Sequence, residues 1–179
     1  FGEEYTLVAV ADYLLSGERG HAVSNLSSSR ALRDIAEKHD STYSASAVGE
    51  VNVVTEMKDK HAVIGGEGNG GIIFPKLHYG RDSLVGIALF LTHLAYKKMK
   101  VSELRASYPD YFMAKEKIQL TPDLDVDAIL AKAAETYANE DVSTIDGVKI
   151  NFEKSWVHLR KSNTEPIIRV YTEAPSQDD

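Results

Sequence analysis

Cysteine is absent from all 179 residues. That excludes disulfides, thiol catalysis and cysteine-ligated metals, and it fits a reducing compartment, with the cytoplasm as the expected location. No apolar run approaches the ~18 residues that a membrane-spanning helix requires, and no signal peptide is visible, so no membrane partner is expected. Phe1 is not a natural start, and the sequence is expected to continue upstream of it. Basic residues are in deficit, 20 against 27 acidic ones, for a formal charge of −7. This balance argues against nucleic acid as a main partner. A small anion needs only one local cluster of arginine and backbone N–H groups, so it stays compatible with the composition. What is present is globular: 43% hydrophobic and 26% charged residues. That is enough for a sizeable core and rules out wholesale disorder.

The pattern of apolar residues has two rhythms. Leu7, Val8, Ala11, Leu14 and Leu15 recur at helical spacing, and Ser16-Gly17 closes that segment. His21–Leu26 reads as a strand, with Ser27, Ser28 and Ser29 offering an N-cap for a helix through Ala31, Leu32, Ile35 and Ala36. Ser44–Val54 reads as extended, and His61–Ile64 as a short buried strand running into glycines. Asp82 or Ser83 caps the longest expected helix, Leu84–Met99, with Leu84, Ile87, Ala88, Leu91 and Leu94 as one apolar stripe. Strands alternating with helices imply an α/β layer with a largely parallel sheet. The segment Ser102–Tyr111, containing Pro109, looks like a join. Beyond it come a strand at Lys117–Leu120, a helix at Val126–Ala138, and strands at Gly147–Phe152, Trp156–Leu159 and Ile167–Thr172. Their alternation gives each strand one buried and one free face, and places Trp156, His158 and Arg160 on the free one. This second part reads as a small α+β domain.

Three stretches could carry chemistry. Gly65-Gly66-Glu67-Gly68-Asn69-Gly70-Gly71 holds five of the 12 glycines. From Gly66 it satisfies G-x-G-x-x-G, but a dinucleotide fingerprint needs a helix to begin there, and Ile72-Ile73-Phe74-Pro75 is extended. A tight loop needing glycine for shape alone is the plain alternative. It leaves Glu67 and Asn69, polar groups suited to gripping hydroxyls or an amine, unexplained. Arg160-Lys161-Ser162-Asn163-Thr164-Glu165-Pro166, with Arg169 beyond, is either an ordinary hairpin turn or an anion cradle to which Arg160 adds a bidentate fork. Asp123, Asp125 and Asp127 form D-x-D-x-D, which lacks the glycine and distal glutamate of a calcium loop. Asp123 there reads as a helix cap. The six histidines show no ligand spacing, and no nucleophile motif is present.

Taken together, Arg160–Pro166 resembles the R-x-S-[NG]-T-[ET]-P phosphate loop of the α-D-phosphohexomutases, and the Glu67 loop resembles that family's sugar loop, G-E-x-S-G-H. Asn69 replaces the serine and Gly71 the histidine. Followed by Ile72–Pro75 and Tyr79-Gly80-Arg81-Asp82, this variant is similar to the archaeal- and Bacteroidetes-type phosphoglucosamine mutases and to the phosphoglucomutase/phosphomannomutases. Val48-Gly49-Glu50 resembles a further loop of the family's third domain, with only Glu50 to offer. The resemblance implies an α/β/α mixed-sheet domain over residues 1–108, then a small α+β domain, like the TATA-box-binding protein, over 109–179. It implies the substrate-binding C-terminal part of an isomerase interconverting hexose 6-phosphate and 1-phosphate, with glucosamine phosphates the expected substrates. A phosphomannomutase/phosphoglucomutase, or a non-catalytic sugar-phosphate module, is the alternative. Arg160, Ser162, Asn163, Thr164 and Arg169 would hold phosphate, and Glu67 and Asn69 the sugar. The phosphoserine and a D-x-D-x-D-R magnesium loop would lie in N-terminal domains of the parent. Catalytic residues, metal ligands, Mg2+ and a glucose or glucosamine bisphosphate activator would thus belong to that parent, and the fragment alone is expected to be inactive.

Overall fold

In the computed structural model, residues 1–121, 124–162 and 165–178 are described. They fall into two units, Phe1–Asp110 and Tyr111–Asp179. Helix α1 (Glu3–Gly17) buries Leu7, Val8, Ala9, Val10, Ala11 and Leu15, more than one stripe, as befits a helix packed on several sides. It packs against β3 (Ile64–Glu67), α2 (Ala31–Lys38) and α4 (Ser83–Lys97). β1 (His21–Asn25) lies at the centre, parallel to both β2 (Thr42–Ser46) and β3. β4 (Gly71–Ile73) turns back antiparallel to β3, giving a mixed sheet of order β2-β1-β3-β4. Helix α3 (Glu50–Asp59) seats Val53 and Met57 on Val23 and Ile73, and α5 (Val101–Ala106) follows α4.

The second unit is a five-stranded antiparallel sheet of order β5-β9-β8-β7-β6 with a helix on it. Its strands are β5 (Phe112–Gln119), β6 (Asp141–Ser143), β7 (Val148–Asn151), β8 (Trp156–Lys161) and β9 (Ile167–Ala174). Helix α6 (Val126–Thr136) buries Val126 and Leu130 against Val148, Ile150 and Ile168.

Several local expectations are corrected. Ser44–Val54 is not one extended run: β2 stops at Ser46, Gly49 takes a φ of +119°, and α3 begins at Glu50. The β-branched Val51, Val53 and Val54 mimic a strand, yet Val53 and Met57 are buried as an i, i+4 pair on one helical face. His61 is in a turn at φ +51°, and the strand begins only at Ile64. Of the three serines, Ser29 Oγ accepts from Ala31 N (3.2 Å), whereas Ser27 and Ser28 fold around Asn25. Asp82 caps α4 as expected, its Oδ1 accepting from Leu84 N and Val85 N at 2.8 and 3.0 Å. The apolar stripe of α4 nevertheless faces outward, with Leu84, Ile87 and Leu91 at 77%, 54% and 57% exposure. The close approach to β4 is made through Gly86, where a Cβ would come within 2.8 Å of Ile72. That contact turns Gly86 and His93 inward instead. The expected join contains α5 and the buried Tyr108. Strand β6, three residues long, has no periodic signal in the sequence. Capping of α6 is by Asp125 Oδ1, accepting from Ala128 N at 3.0 Å, while Asp123 lies outside the described residues.

Candidate functional site

Three loops leave the carboxyl ends of the parallel strands β1, β2 and β3, the edge at which open α/β sheets carry their ligands. Asn25 ends β1. Its Oδ1 accepts from Ser27 N and Ser28 Oγ, both at 3.0 Å, an arrangement that folds the following turn back on the strand. Its Nδ2 donates to Glu67 Oε1 at 2.8 Å, and Ser28 Oγ accepts from Gly68 N at 2.9 Å. The turns after β1 and β3 are thereby tied together. Glu67 is only 6% exposed. Its Oε2 lies 3.6 Å from Arg81 Nη1, and Arg81 in turn donates from Nε to Glu50 Oε2 (2.8 Å) and from its backbone N to Glu50 Oε1 (3.2 Å). The Arg81 N–H, then its guanidinium, hold the Glu50 carboxyl below the usual carboxylate range. Glu50, offered by the sequence only as a weak candidate, thus sets the position of the arginine facing Glu67.

Asn69 is exposed in the turn between β3 and β4, and its Oδ1 accepts from Gly71 N at 3.0 Å, so its Nδ2 is the end left for a ligand. The turn passes from strand to strand in a hairpin, and no helix opens at it. The glycine fingerprint therefore lacks the helix N-terminus a pyrophosphate needs.

In the second unit Arg160 stands in the last part of β8 rather than in the turn. Its Nε is 3.0 and 2.9 Å from Asp146 Oδ1 and Oδ2. Asp146 is itself fixed through its carbonyl oxygen, 2.7 Å from His158 Nε2, which identifies that ring nitrogen as the protonated donor. Gly147 follows at φ +71°, with Leu159 O only 2.2 Å from where a Cβ would sit. The Asp-Gly pair thus lets the β6–β7 turn press onto β8 and deliver the carboxylate to Arg160. Trp156 and His158, expected on a free face, are each only 1% exposed, and burial pushes the His158 imidazole down from its ordinary value.

Ser162 is 9% exposed, and its N–H, expected to be free, donates to Ile167 O at 3.0 Å. Its Oγ accepts from Glu165 N at 3.3 Å. Asn163 and Thr164 lie outside the described residues. Arg169 donates from Nη2 to Glu165 Oε2 at 3.1 Å and stands directly across from Arg160 in the β8–β9 register. Among the described residues no group of three or more His, Asp or Glu is arranged to hold a metal ion. Asp127 lies 3.8 Å from Lys161 Nζ. His78 and Asp82, four residues apart, meet at 3.1 Å beside the α4 cap. Sequence reasoning missed Asn25, Ser28, Arg81 and Asp146. Two of these carried a readable signal: Asp146 in the turn dipeptide Asp146-Gly147 just before a strand, and Arg81 within the segment Tyr79-Gly80-Arg81-Asp82.

Loops at strand carboxyl ends in one unit and an arginine-bearing hairpin in the other mark a two-unit α/β and α+β protein. Residues 2–111 match the family model for phosphoglucomutase/phosphomannomutase, alpha/beta/alpha domain III, and residues 112–179 match that for the C-terminal domain. The chain belongs to the phosphoglucomutase/phosphomannomutase family. It is 37% identical over 158 residues to a phosphoglucosamine/phosphogalactosamine mutase of Sulfurisphaera tokodaii, covering 87% of this chain and 35% of that protein. A Thermococcus kodakarensis phosphoglucomutase/phosphomannomutase is 36% identical over 176 residues, covering 97% and 38%. A solved Burkholderia thailandensis protein of the same family superposes with a TM-score of 0.79 at 21% identity, over 98% of this chain and 38% of that one, a likeness of fold. The chain thus spans little more than a third of the length of these relatives.

Proposed function

We propose that this chain is the substrate-holding part of a phosphohexomutase, an isomerase moving a phosphoryl group between the 6- and 1-positions of a hexose. Arg160 carries the reading. Asp146 engages it through Nε, which leaves the Nη end of the fork for a phosphate, two residues before Ser162, whose Oγ accepts from Glu165 N. In this reading Arg160, Ser162, Asn163, Thr164 and Arg169 grip the non-reacting phosphate. Glu67 and Asn69 hold the ring through the remaining lone pairs of a fixed carboxylate and a free amide. Phosphoryl transfer depends chiefly on positioning and charge stabilisation, and positioning is this chain's share.

The sugar proposed is glucosamine phosphate. Among the described residues Glu50 and Glu67 are both ion-paired to Arg81 and to no other cation, so this loop cluster carries a net negative charge that favours a 2-ammonium group over a hydroxyl. The name of the Thermococcus kodakarensis relative keeps mannose and glucose phosphates as the second reading. Magnesium supplies charge neutralisation in such a transfer. In this reading its ligands and the reacting serine belong to the rest of the parent protein, and the bisphosphate activator is a ligand of the whole enzyme. Calorimetric titration with glucosamine 6-phosphate tests the reading. Saturable binding that Arg160→Ala weakens supports it, and equal binding by both proteins rejects it.

A further inference from the structure

The β5-β9-β8 register sets Lys117 opposite Arg169, and Arg169 opposite Arg160. Directly paired residues on antiparallel strands point to the same side with Cβ atoms ~5 Å apart, so these three cations form one row across three strands. Like charges directly opposite one another are destabilising, and a sheet carries such a row at a cost unless an anion covers it. The row is not uniform. Arg160 is paired with Asp146 and Arg169 with Glu165. Lys117 is exposed and has no ion pair among the described residues, while Lys115, two residues earlier on the same face, lies over the Tyr171 ring at 5.8 Å. Arg160 and Arg169 are therefore each neutralised by a neighbour, and the uncompensated charge of the row is the ammonium of Lys117.

From this juxtaposition we infer that Lys117 is a further anion-holding residue of the phosphate site, one that draws the sugar-phosphate dianion to the row while the two arginines give it direction. The inference rests on the sugar-phosphate reading above and adds a strand to it: the site extends from the β8–β9 hairpin to edge strand β5. The interaction is that of an exposed point charge, so it acts by Coulomb attraction and fades with salt. Arginine can replace lysine in this role, and glutamine cannot.

Titration of the whole chain with glucosamine 6-phosphate, followed by amide chemical shifts at about 0.02 M and about 0.3 M salt, tests this. Lys117→Gln is expected to weaken binding about three- to tenfold at the lower salt and less than about twofold at the higher, with Lys117→Arg close to the parent. An unchanged melting temperature for Lys117→Gln shows that the fold is intact. If Arg160→Ala weakens binding while Lys117→Gln matches the parent at low salt, Lys117 has no part in the site and the sugar-phosphate reading survives. A loss in Lys117→Gln that salt does not diminish also overturns the inference. If neither substitution weakens binding, the sugar-phosphate reading itself falls.

Discussion

Asp12 is 2% exposed in the middle of α1, and four donors converge on it. His39 Nε2 is at 2.7 Å, His93 Nε2 at 3.1 Å, the Tyr108 hydroxyl at 3.2 Å and Lys38 Nζ at 3.4 Å. These come from the end of α2, from α4 and from the segment after α5, so one carboxylate joins three parts of the first unit to α1. Burial alone would raise its carboxyl pKa. Hydrogen bonds from His93 and His39, with the charge of Lys38, overcome that and hold it well below the ordinary carboxylate range. Asp12→Ala removes the acceptor while His93 and Tyr108 stay 1% and 5% exposed. Because His93 Nε2 also lies 3.1 Å from the Tyr108 hydroxyl, one of those two can re-pair with the other. One to two buried groups are then orphaned at ~1–3 kcal/mol each, for a total of ~1–6 kcal/mol. With a urea m-value of ~1.5 kcal/mol/M the midpoint falls by roughly 1–4 M. The only tryptophan, Trp156, sits in the second unit, so amide exchange in α1 is the proper probe. A loss below ~1 kcal/mol refutes the hub. Since the folded carboxyl is depressed, its contribution is present above the unfolded value of ~4 and is lost as pH falls below it. Asp12→Asn therefore flattens the acid limb of the stability curve.

His158 titrates with the opposite consequence for its own charge. Burial lowers its folded value, so the unfolded chain takes up the proton first, and stability drops as pH falls below ~6.5, by at most ~1.4 kcal/mol per pH unit. Unfolding monitored by Trp156 fluorescence between pH 7.5 and pH 5 reads this. His158→Gln, which can still donate to Asp146 O, is expected to remove the slope, and an unchanged slope contradicts the assignment. Gly147→Ala forces a left-handed residue and a Cβ against Leu159 O, and by the same probe is expected to cost ~2–4 kcal/mol. A loss below ~1 kcal/mol shows that the turn can shift and that Asp146 is not rigidly delivered.

What was legible in the sequence was local. The apolar spacing of α1 and the Asp82 cap of α4 depend on residues a few positions apart, and both are found where expected. Helix α3 was hidden because three valines favour a strand by propensity, while burial of Val53 and Met57 against another part of the chain decides for a helix. The outward stripe of α4 failed for a related reason. Periodicity names an apolar face, but Gly86 against Ile72 decides which side meets the sheet. Among the candidate site residues, Glu67, Asn69, Arg160, Ser162 and Arg169 stand out because they fall within two compact motifs. Their supports do not, because each comes from a distant part of the chain. Asn25 reaches Glu67 across 42 positions, Arg81 reaches Glu50 across 31, and Asp146 reaches Arg160 across 14. Pairings that depend on sheet register, such as Lys117 with Arg169, carry no local signature.

The most direct test of the account is sugar-phosphate binding by the chain with and without the Arg160 guanidinium. Removing charge-assisted bonds to a dianion costs ~2–4 kcal/mol, so Arg160→Ala should bind glucosamine 6-phosphate between ten- and a thousandfold more weakly. Arg160→Lys, which restores charge but not the fork, should recover only part of that. Losing the partly buried pair with Asp146 also lowers stability, by ~1–2 kcal/mol, so the calorimetry is run well below the melting temperature of each protein. Undiminished affinity in folded Arg160→Ala would contradict the phosphate-site assignment, and the β8–β9 connection would then be an ordinary hairpin.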